Sequence, residues 1–282
     1  MTVKEVMAKG HVTRHRRAEG LSIAHLSSEH LPEHLDPFLA FDHFEMAQPF
    51  FPPHPHAGFS AVTYMFPGSQ NGFVNRDSLG ARVEIHPGDL HWTAAGSGLM
   101  HEEVPIRRGV VCDGLQIFVN LHSSKKWMPP QVLHAAGDDV PRVVTPGAHV
   151  RVVTGVHDGV RAIVQPPTDV TLLDVALEPG GVLEHRPAPG ESRFVYVIDG
   201  DVVAGAGETA LAKGDVAGFA HEGDVVRVRA GARGAHVVVA GGQPLREPIV
   251  FHGPFCMNTR EDIVRAVHDY QVGKMGRLEP SF

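Results

Sequence analysis

Cysteine is nearly absent: Cys112 and Cys256 are the only two in 282 residues. Two thiols build neither a disulfide framework nor a cysteine-based zinc site, so both are expected to be buried, reduced and inert. Long apolar runs are missing too. None reaches the roughly 18 residues that a membrane-spanning helix needs, and no membrane partner is expected. The stretch Met1–His15 mixes Lys, Glu, His and Arg without the apolar core of an export signal, which points to the cytoplasm. Positive charge is in deficit: 25 Lys and Arg against 32 Asp and Glu leave −7. A surface built on phosphate contacts would be basic, so direct nucleic-acid binding is not expected. The one dense basic run, Arg14-His15-Arg16-Arg17, reads as a solvated face.

Glycine (31), proline (22) and histidine (20) are abundant instead. Turn residues spread along the whole chain suit many short strands. Val150–Thr154, Val170–Leu177, Phe194–Ile198 and His236–Ala240 are rich in β-branched residues and bounded by turn signals, and Arg82–His86 and Asp224–Arg229 alternate polar with apolar. One helix is legible near the C-terminus. Asn258 is placed as its cap with Glu261 completing a capping box, Ile263, Val267 and Tyr270 share a face, and Gly273 stops it.

A weak repeat runs through the chain. Tyr64–Gly68 is echoed by Tyr196–Gly200, and His86-Pro87-Gly88-Asp89 by Ala212-Lys213-Gly214-Asp215. At about 150 residues per domain the length suits two domains. The reading is an all-β chain of two tandem barrels with a short C-terminal helix, divided at the polar, Pro-rich segment Ser123–Pro130 into residues 1–130 and 131–282.

The chemistry concentrates in the first half. In Pro52-Pro53-His54-Pro55-His56 the prolines favour an extended backbone, and residues i and i+2 of an extended segment point to one side. His54 and His56 can therefore aim two imidazoles at one point. On a strand, His101 and Glu103 would likewise share a face, with Glu102 turned outward into solvent. Between the pairs lie turns at Gly68 and Gly88. A two-His strand, a Gly turn, a Pro-Gly-Asp turn and a returning His form the pattern of a cupin barrel. Three imidazoles and a carboxylate suit a divalent first-row ion: iron, manganese, nickel, copper or zinc.

At these residues the chain resembles the pirin family. The matching stretches are Phe41-Asp42-His43-Phe44, Pro53–Phe59, Arg76-Asp77-Ser78, Pro87–Gly98, His101–Pro105, Gly114-Leu115-Gln116 and the tail Gly253–Thr259. The likeness is specific in the N-terminal half and at the tail, and weaker between about 130 and 245. It implies a bicupin with one mononuclear metal, commonly Fe(2+), in the N-terminal domain, held by His54, His56, His101 and Glu103. It also implies quercetin 2,3-dioxygenase activity in some members, on a flavonol or related aromatic enol. Glu103 is then the catalytic base, and Phe59, Met65, Phe66 and Met100 are apolar neighbours available to a flat ring. His43 and His91 fall near the site by motif, as groups that could orient the ligands. The alternative the family implies is a non-enzymatic, iron-dependent redox sensor that binds a transcription factor or other protein partner. A monomer is expected.

Two positions depart from many pirins, Ser60 replacing a Glu and Asn75 a His. The C-terminal half lacks the constellation: His185 has no partner two residues away and His221 no acid two positions on, so that half reads as metal-free and structural.

Overall fold

The computed structural model describes residues 1–282, and strands dominate it. The expected strands form, most of them longer than their apolar signals: Val170–Leu177 has the expected bounds, Phe194–Ile198 lies within Ser192–Ala204, and His236–Ala240 ends the 17-residue strand Val226–Gly242.

Two barrels result. The first closes a seven-stranded sheet against a four-stranded one. In the larger sheet Phe59–Met65 pairs with Cys112–Asn120 and Leu90–Ala94; in the smaller, Leu99–Pro105 lies between His54–His56 and Phe73–Asp77. The second barrel is a single nine-stranded sheet. Its strands Ser192–Ala204 and Val226–Gly242 pair along their length through two register shifts, and bulges of this kind bend a sheet round on itself.

The repeat is real at the level of hydrogen bonds. Gly88 donates its N–H to the Met65 carbonyl at 3.0 Å, and Gly214 donates to Val197 at 2.9 Å. Asp89 caps its turn by accepting from the His86 N–H at 2.7 Å, as Asp215 does from Ala212 at 3.0 Å. Both glycines have positive φ, 91° and 87°, where a side chain is strained.

The chain does not part cleanly between the barrels. The first strand, Val6–His11, pairs in the second barrel with Asp215–Phe219, and Gln131–Ala135 pairs in the first with Leu90–Ala94. The C-terminal helix, Arg260–Gln271, packs beside Ala57 of the first barrel through Ile263 and Ala266. Its cap is Thr259, whose hydroxyl oxygen accepts from the Asp262 N–H at 3.0 Å. Asn258, the expected cap, instead donates to the Pro248 carbonyl. The cap moves one residue because the Asn258 side chain is spent on tying down the preceding loop. Tyr270 is 41% exposed, so the buried face runs through Ile263, Ala266 and Asp269 instead.

The largest core lies between the barrels. Phe41, Val62, Tyr64 and Trp92 of the first meet Leu172, Phe194, Tyr196 and Val238 of the second. Phe41 and Phe194 meet edge to face at 5.4 Å, a favoured aromatic geometry. Within this seam the Tyr64 hydroxyl donates to Asp174 Oδ2 at 2.6 Å and accepts from Arg151 Nε at 3.1 Å. The barrel interiors differ: twenty buried apolar residues cluster in the second and seven in the first, several of the seven facing a cavity at one end.

Tyr64→Phe should test the seam. It leaves Arg151 Nε without its acceptor and Asp174 short of a donor, and should cost about 2 kcal/mol of stability, read as a lowered urea midpoint. An unchanged midpoint would mean that apolar packing alone holds the barrels together.

Candidate metal centre

The free end of the first barrel holds the histidines. The prolines keep His54–His56 extended, and the strand pairs antiparallel with Leu99–Pro105 so that His54 stands opposite His101 and His56 opposite Leu99. Cross-strand pairing makes neighbours of residues 47 positions apart in sequence. The ring centroids lie 4.7 Å (His54–His56), 4.7 Å (His54–His101) and 4.9 Å (His56–His101) apart, and one nitrogen from each ring falls within 4.8 Å of the other two.

Each ring is oriented by what surrounds it. His54 Nδ1 donates to the Pro52 carbonyl at 2.9 Å and turns its Nε2 inward, 3.1 Å from His56 Nε2. His101 Nδ1 donates to Asn75 Oδ1 at 3.3 Å, which frees its Nε2. Such outer partners fix tautomer and direction in histidine metal sites. His56 packs against the rings of Phe59 and Phe118. Burial lowers all three pKa values: that of His54, that of His56 to about 3 with help from His54, and that of His101 well below its ordinary value with help from His56, His54 and His91. The rings are therefore neutral at pH 7 and present lone pairs. His54 Nε2 and His56 Nε2 face each other at 3.1 Å, a hydrogen bond whose direction the His56 tautomer sets, and a cation bound by both nitrogens would take the place of that bond. The donor set fits a divalent first-row ion.

Glu103 lines the same cavity but lies outside the close histidine group. Thr63 Oγ1 donates to its Oε1 at 2.7 Å. Burial raises its pKa to about 7 against the pull of that hydroxyl, so it can hold or release a proton near neutrality. The cavity measures about 280 Å³. Its apolar wall is Phe44, Met46, Phe51, Phe73 and Phe118, with Asp42 and Gln116 as further polar groups.

Several expectations are corrected here. None of Phe59, Met65, Phe66 and Met100 lines the cavity. Phe59 lies behind His56, Met65 packs in the closed end, and Phe66 lies at the seam against His43 and His236. His43 also faces the seam, 2.9 Å from Asp113 and 3.2 Å from the Tyr196 hydroxyl, because it alternates with the inward Asp42 and Phe44. His91 is close enough to depress the His101 pKa, but neither of its nitrogens is bonded. The departures from the family pattern differ in weight. Asn75 supplies the acceptor that orients His101. Ser60 shares the outward face of Val62 and Tyr64 and cannot reach the site. Both cysteines are buried, with thiol pKa values raised by burial, Cys112 to about 12, as expected of inert thiols.

Glu102 is the largest correction. Expected in solvent, it has 0% exposure. The chain's own end covers it: Arg76 pairs with it at 2.9 Å, Arg76 also donates to the Glu279 carbonyl, and the Ser281 N–H donates to Glu102 Oε2 at 3.3 Å. Lys126 was also missed. Its ammonium, 2% exposed as a residue, donates to the Gly58 and Cys256 carbonyls and to Asn120 Oδ1. It ties the turn after His56 to the C-terminal segment. Gly58 is required there: φ is 82°, and a Cβ would lie 1.9 Å from the Cys256 oxygen.

A two-barrel cupin with a three-histidine group in the first barrel is thus the class that fold and site define. Comparison with known proteins narrows it. Residues 16–119 match the Pirin family model and residues 172–276 the Pirin C-terminal cupin domain model. Pirin from Homo sapiens is 36% identical over 270 residues, covering 94% of this chain and 92% of that protein. A pirin-like protein from Solanum lycopersicum is 33% identical over 279 residues, covering 98% and 93%. The crystal structure of a quercetin 2,3-dioxygenase from Acinetobacter baumannii superposes with a TM-score of 0.85 at 28% identity, covering 98% and 99%. The chain belongs to the pirin family. No helix in it is long and apolar enough to cross a membrane.

Two outcomes follow from the site. The three imidazoles have folded-state pKa values below their ordinary 6.5, so the unfolded chain takes up protons first as pH falls. Their contribution is complete above pH 6.5 and is lost as pH falls below it, toward about 3 for His56. Glu103 works in the opposite sense, its pKa standing at about 7 against an ordinary 4.5, but it is one group against three. The metal-free chain should lose stability from pH 6.5 downward in urea titrations, and a flat profile would contradict the neutral-imidazole reading. Arg76→Ala leaves the Glu102 carboxylate buried without its cation. It should cost about 3 kcal/mol, less than for a fully enclosed pair because Arg76 is partly exposed, and Glu102→Gln in the same background should restore part of the loss.

Proposed function

We propose that this pirin-family protein is a metal-dependent dioxygenase of the quercetin 2,3-dioxygenase type, acting on a flavonol or a related aromatic enol. The observation that carries the reading is the meeting of three neutral imidazole nitrogens beside a carboxyl group of pKa about 7, in a cavity walled by Phe44, Phe73 and Phe118. The quercetin 2,3-dioxygenase that superposes along nearly the whole chain supports it.

His54, His56 and His101 would hold one divalent ion, most simply Fe(2+), with Mn, Ni, Cu and Zn compatible with the same nitrogens, and Glu103 is the fourth protein group in reach of the cavity. The bound ion would supply Lewis acidity, favouring the ionised form of a substrate hydroxyl, and open positions for oxygen chemistry. The rest is done by the chain. Glu103, whose carboxyl pKa burial pushes to about 7 in the metal-free chain and which a bound cation would draw toward the carboxylate, accepts the hydroxyl proton. Thr63, bonded to Glu103 Oε1 and 3.0 Å from Gln116 Oε1, holds that carboxylate against the wall. The phenylalanines bind the flat ring and exclude water. We place the chemistry in residues 1–130 and assign 131–282 no part in it.

Oxygen uptake with quercetin by iron(II)-loaded protein tests this. His101→Ala should lose most bound metal, by elemental analysis, and with it the uptake. Glu103→Gln should keep much of the metal yet slow turnover by about 10²–10⁴-fold. Protein that holds its iron and consumes no oxygen with any aromatic enol would overturn the dioxygenase reading and turn the search to a protein partner. Unchanged metal content in His101→Ala would overturn the ligand set.

A further inference from the structure

The second barrel lacks the metal ligands but is not closed. Its mouth holds a cavity of about 560 Å³, twice that of the first. The duplicated turns put the two barrels in register. Gly88 bonds back to Met65 and Gly214 to Val197, so Met65 corresponds to Val197 and, four residues earlier on each strand, Ala61 to Arg193. In the first barrel His56 pairs with Leu99 and His54 with His101; in the second His185 pairs with Val226 and Leu183 with Val228. Leu99 follows Gly88 by 11 residues and Val226 follows Gly214 by 12, so these strands correspond as well. His185 thus stands where His56 stands, while Leu183 and Val228 replace the other two imidazoles.

The wall beside that histidine has been rebuilt. Ala61 faces Phe118 in the first barrel, and the Phe118 ring packs on His56. Arg193 faces Gly241 in the second. A Cβ on Gly241 would lie 1.9 Å from the Ser192 carbonyl oxygen, 2.5 Å from Arg193 Nη1 and 2.7 Å from its Cδ, so the glycine serves the close approach of the two strands and also leaves room for this side chain. The guanidinium lies in the space the aromatic ring takes in the first barrel, its Nε 3.4 Å from His185 Nε2 and its Nη2 3.1 Å from Thr171 Oγ1. Arg193 is 2% exposed, yet it lines the cavity. Burying a cation there is costly, and apolar packing would stabilise a purely structural barrel better. In this chain the guanidinium is neutralised by Glu191, from the turn Ala188–Glu191 at the mouth.

We propose that the mouth of the second barrel binds a small organic carboxylate on Arg193, and that Glu191 occupies the seat in the free protein. A carboxylate already fits the guanidinium, and its fork geometry suits a planar two-oxygen group. The rim sets the charge. Arg161 and Arg186 share the mouth with Asp158, Asp169 and Glu184, the last paired with Arg227, and a rim of mixed sign favours a singly charged group over phosphate. Removing the internal occupant should raise apparent affinity, since a site open only a fraction of the time binds weaker by that fraction.

The test follows the ring ¹⁵N signals of His185 and His157, whose Nδ1 atoms are 3.2 Å apart, in the full-length chain titrated with benzoate, succinate or inorganic phosphate. A local readout excludes carboxylate binding to a metal in the first barrel. The expected result is a saturable shift with a carboxylate probe, tightened about tenfold in Glu191→Gln and lost in Arg193→Gln. Arg193→Lys should bind more weakly than the parent, which covers the case in which Arg193→Gln does not fold. No shift with either carboxylate in both the parent and Glu191→Gln would overturn the site. So would affinity unchanged in Glu191→Gln, and phosphate shifting the rings as strongly as benzoate would overturn the carboxylate assignment.

Discussion

Three imidazoles with one nitrogen from each gathered within 4.8 Å are the arrangement on which the rest of the first barrel depends. Burial drives each ring to the neutral form, and a single hydrogen bond, between His54 Nε2 and His56 Nε2, links them. The arrangement persists because the backbone over-determines it. Prolines fix one strand, strand pairing sets His54 opposite His101, and the Pro52 carbonyl and Asn75 take up the outward nitrogens. A barrel filled from end to end with apolar side chains would have no place for such a group. The first barrel packs Met65, Ile85 and Cys112 against Phe44 and Phe73, which wall the cavity where the histidines gather.

The stability lost there is made up elsewhere. The second barrel is filled by valines, leucines and alanines at the interior positions of its strands, and the outer faces of the two large sheets share one core. Phe59–Met65 and Leu90–Ala94 are buried on both faces, Ser60, Thr63, His91 and Thr93 included. The seam also carries polar groups, Tyr64 with Asp174 and Arg151, and His43 with Asp113 and Tyr196. Directional bonds of this kind fix the relative setting of two smooth β surfaces that apolar contact alone would let slide.

Those doubly buried strands also mark how far the sequence could be read. The strands, the duplicated Gly-Asp turns, the three histidines and the helix were legible because each rests on local pattern: alternation, turn chemistry, i and i+2 spacing. The cavity wall was not. In a strand buried on both faces, period two says which residues share a side but not which side is inside. Phe66 was therefore offered for the wall, and Phe44 and Phe118 were not. Alternation along Phe38–Met46 contained the answer, since Asp42, Phe44 and Met46 fall together once any one of them is placed, and His43 must then face the seam. Glu102 failed for a different reason. Its outward direction was read correctly, but what covers that direction lies some 180 residues away in the chain.

That cover shows how the far end of the chain serves the site. The strand Leu99–Pro105 presents His101 and Glu103 inward and Glu102 outward, so the setting of the two inner groups depends on what grips the outer one. Arg76, from the neighbouring strand, grips it and also bonds the C-terminal tail, while Ser78 Oγ donates to the Met275 carbonyl and accepts from the Met100 N–H. The tail is thus bonded to both strands that carry or orient His101, and Lys126 does the same for the turn that follows His56. A strand at the mouth of a barrel has few neighbours of its own, and fraying there would separate the histidines by more than a metal–ligand bond tolerates. Closing that mouth with the far end of the chain makes the site complete only when the whole chain has folded. The C-terminal segment is therefore, physically, part of the frame that holds the first barrel's histidines, whichever half of the sequence it is counted in.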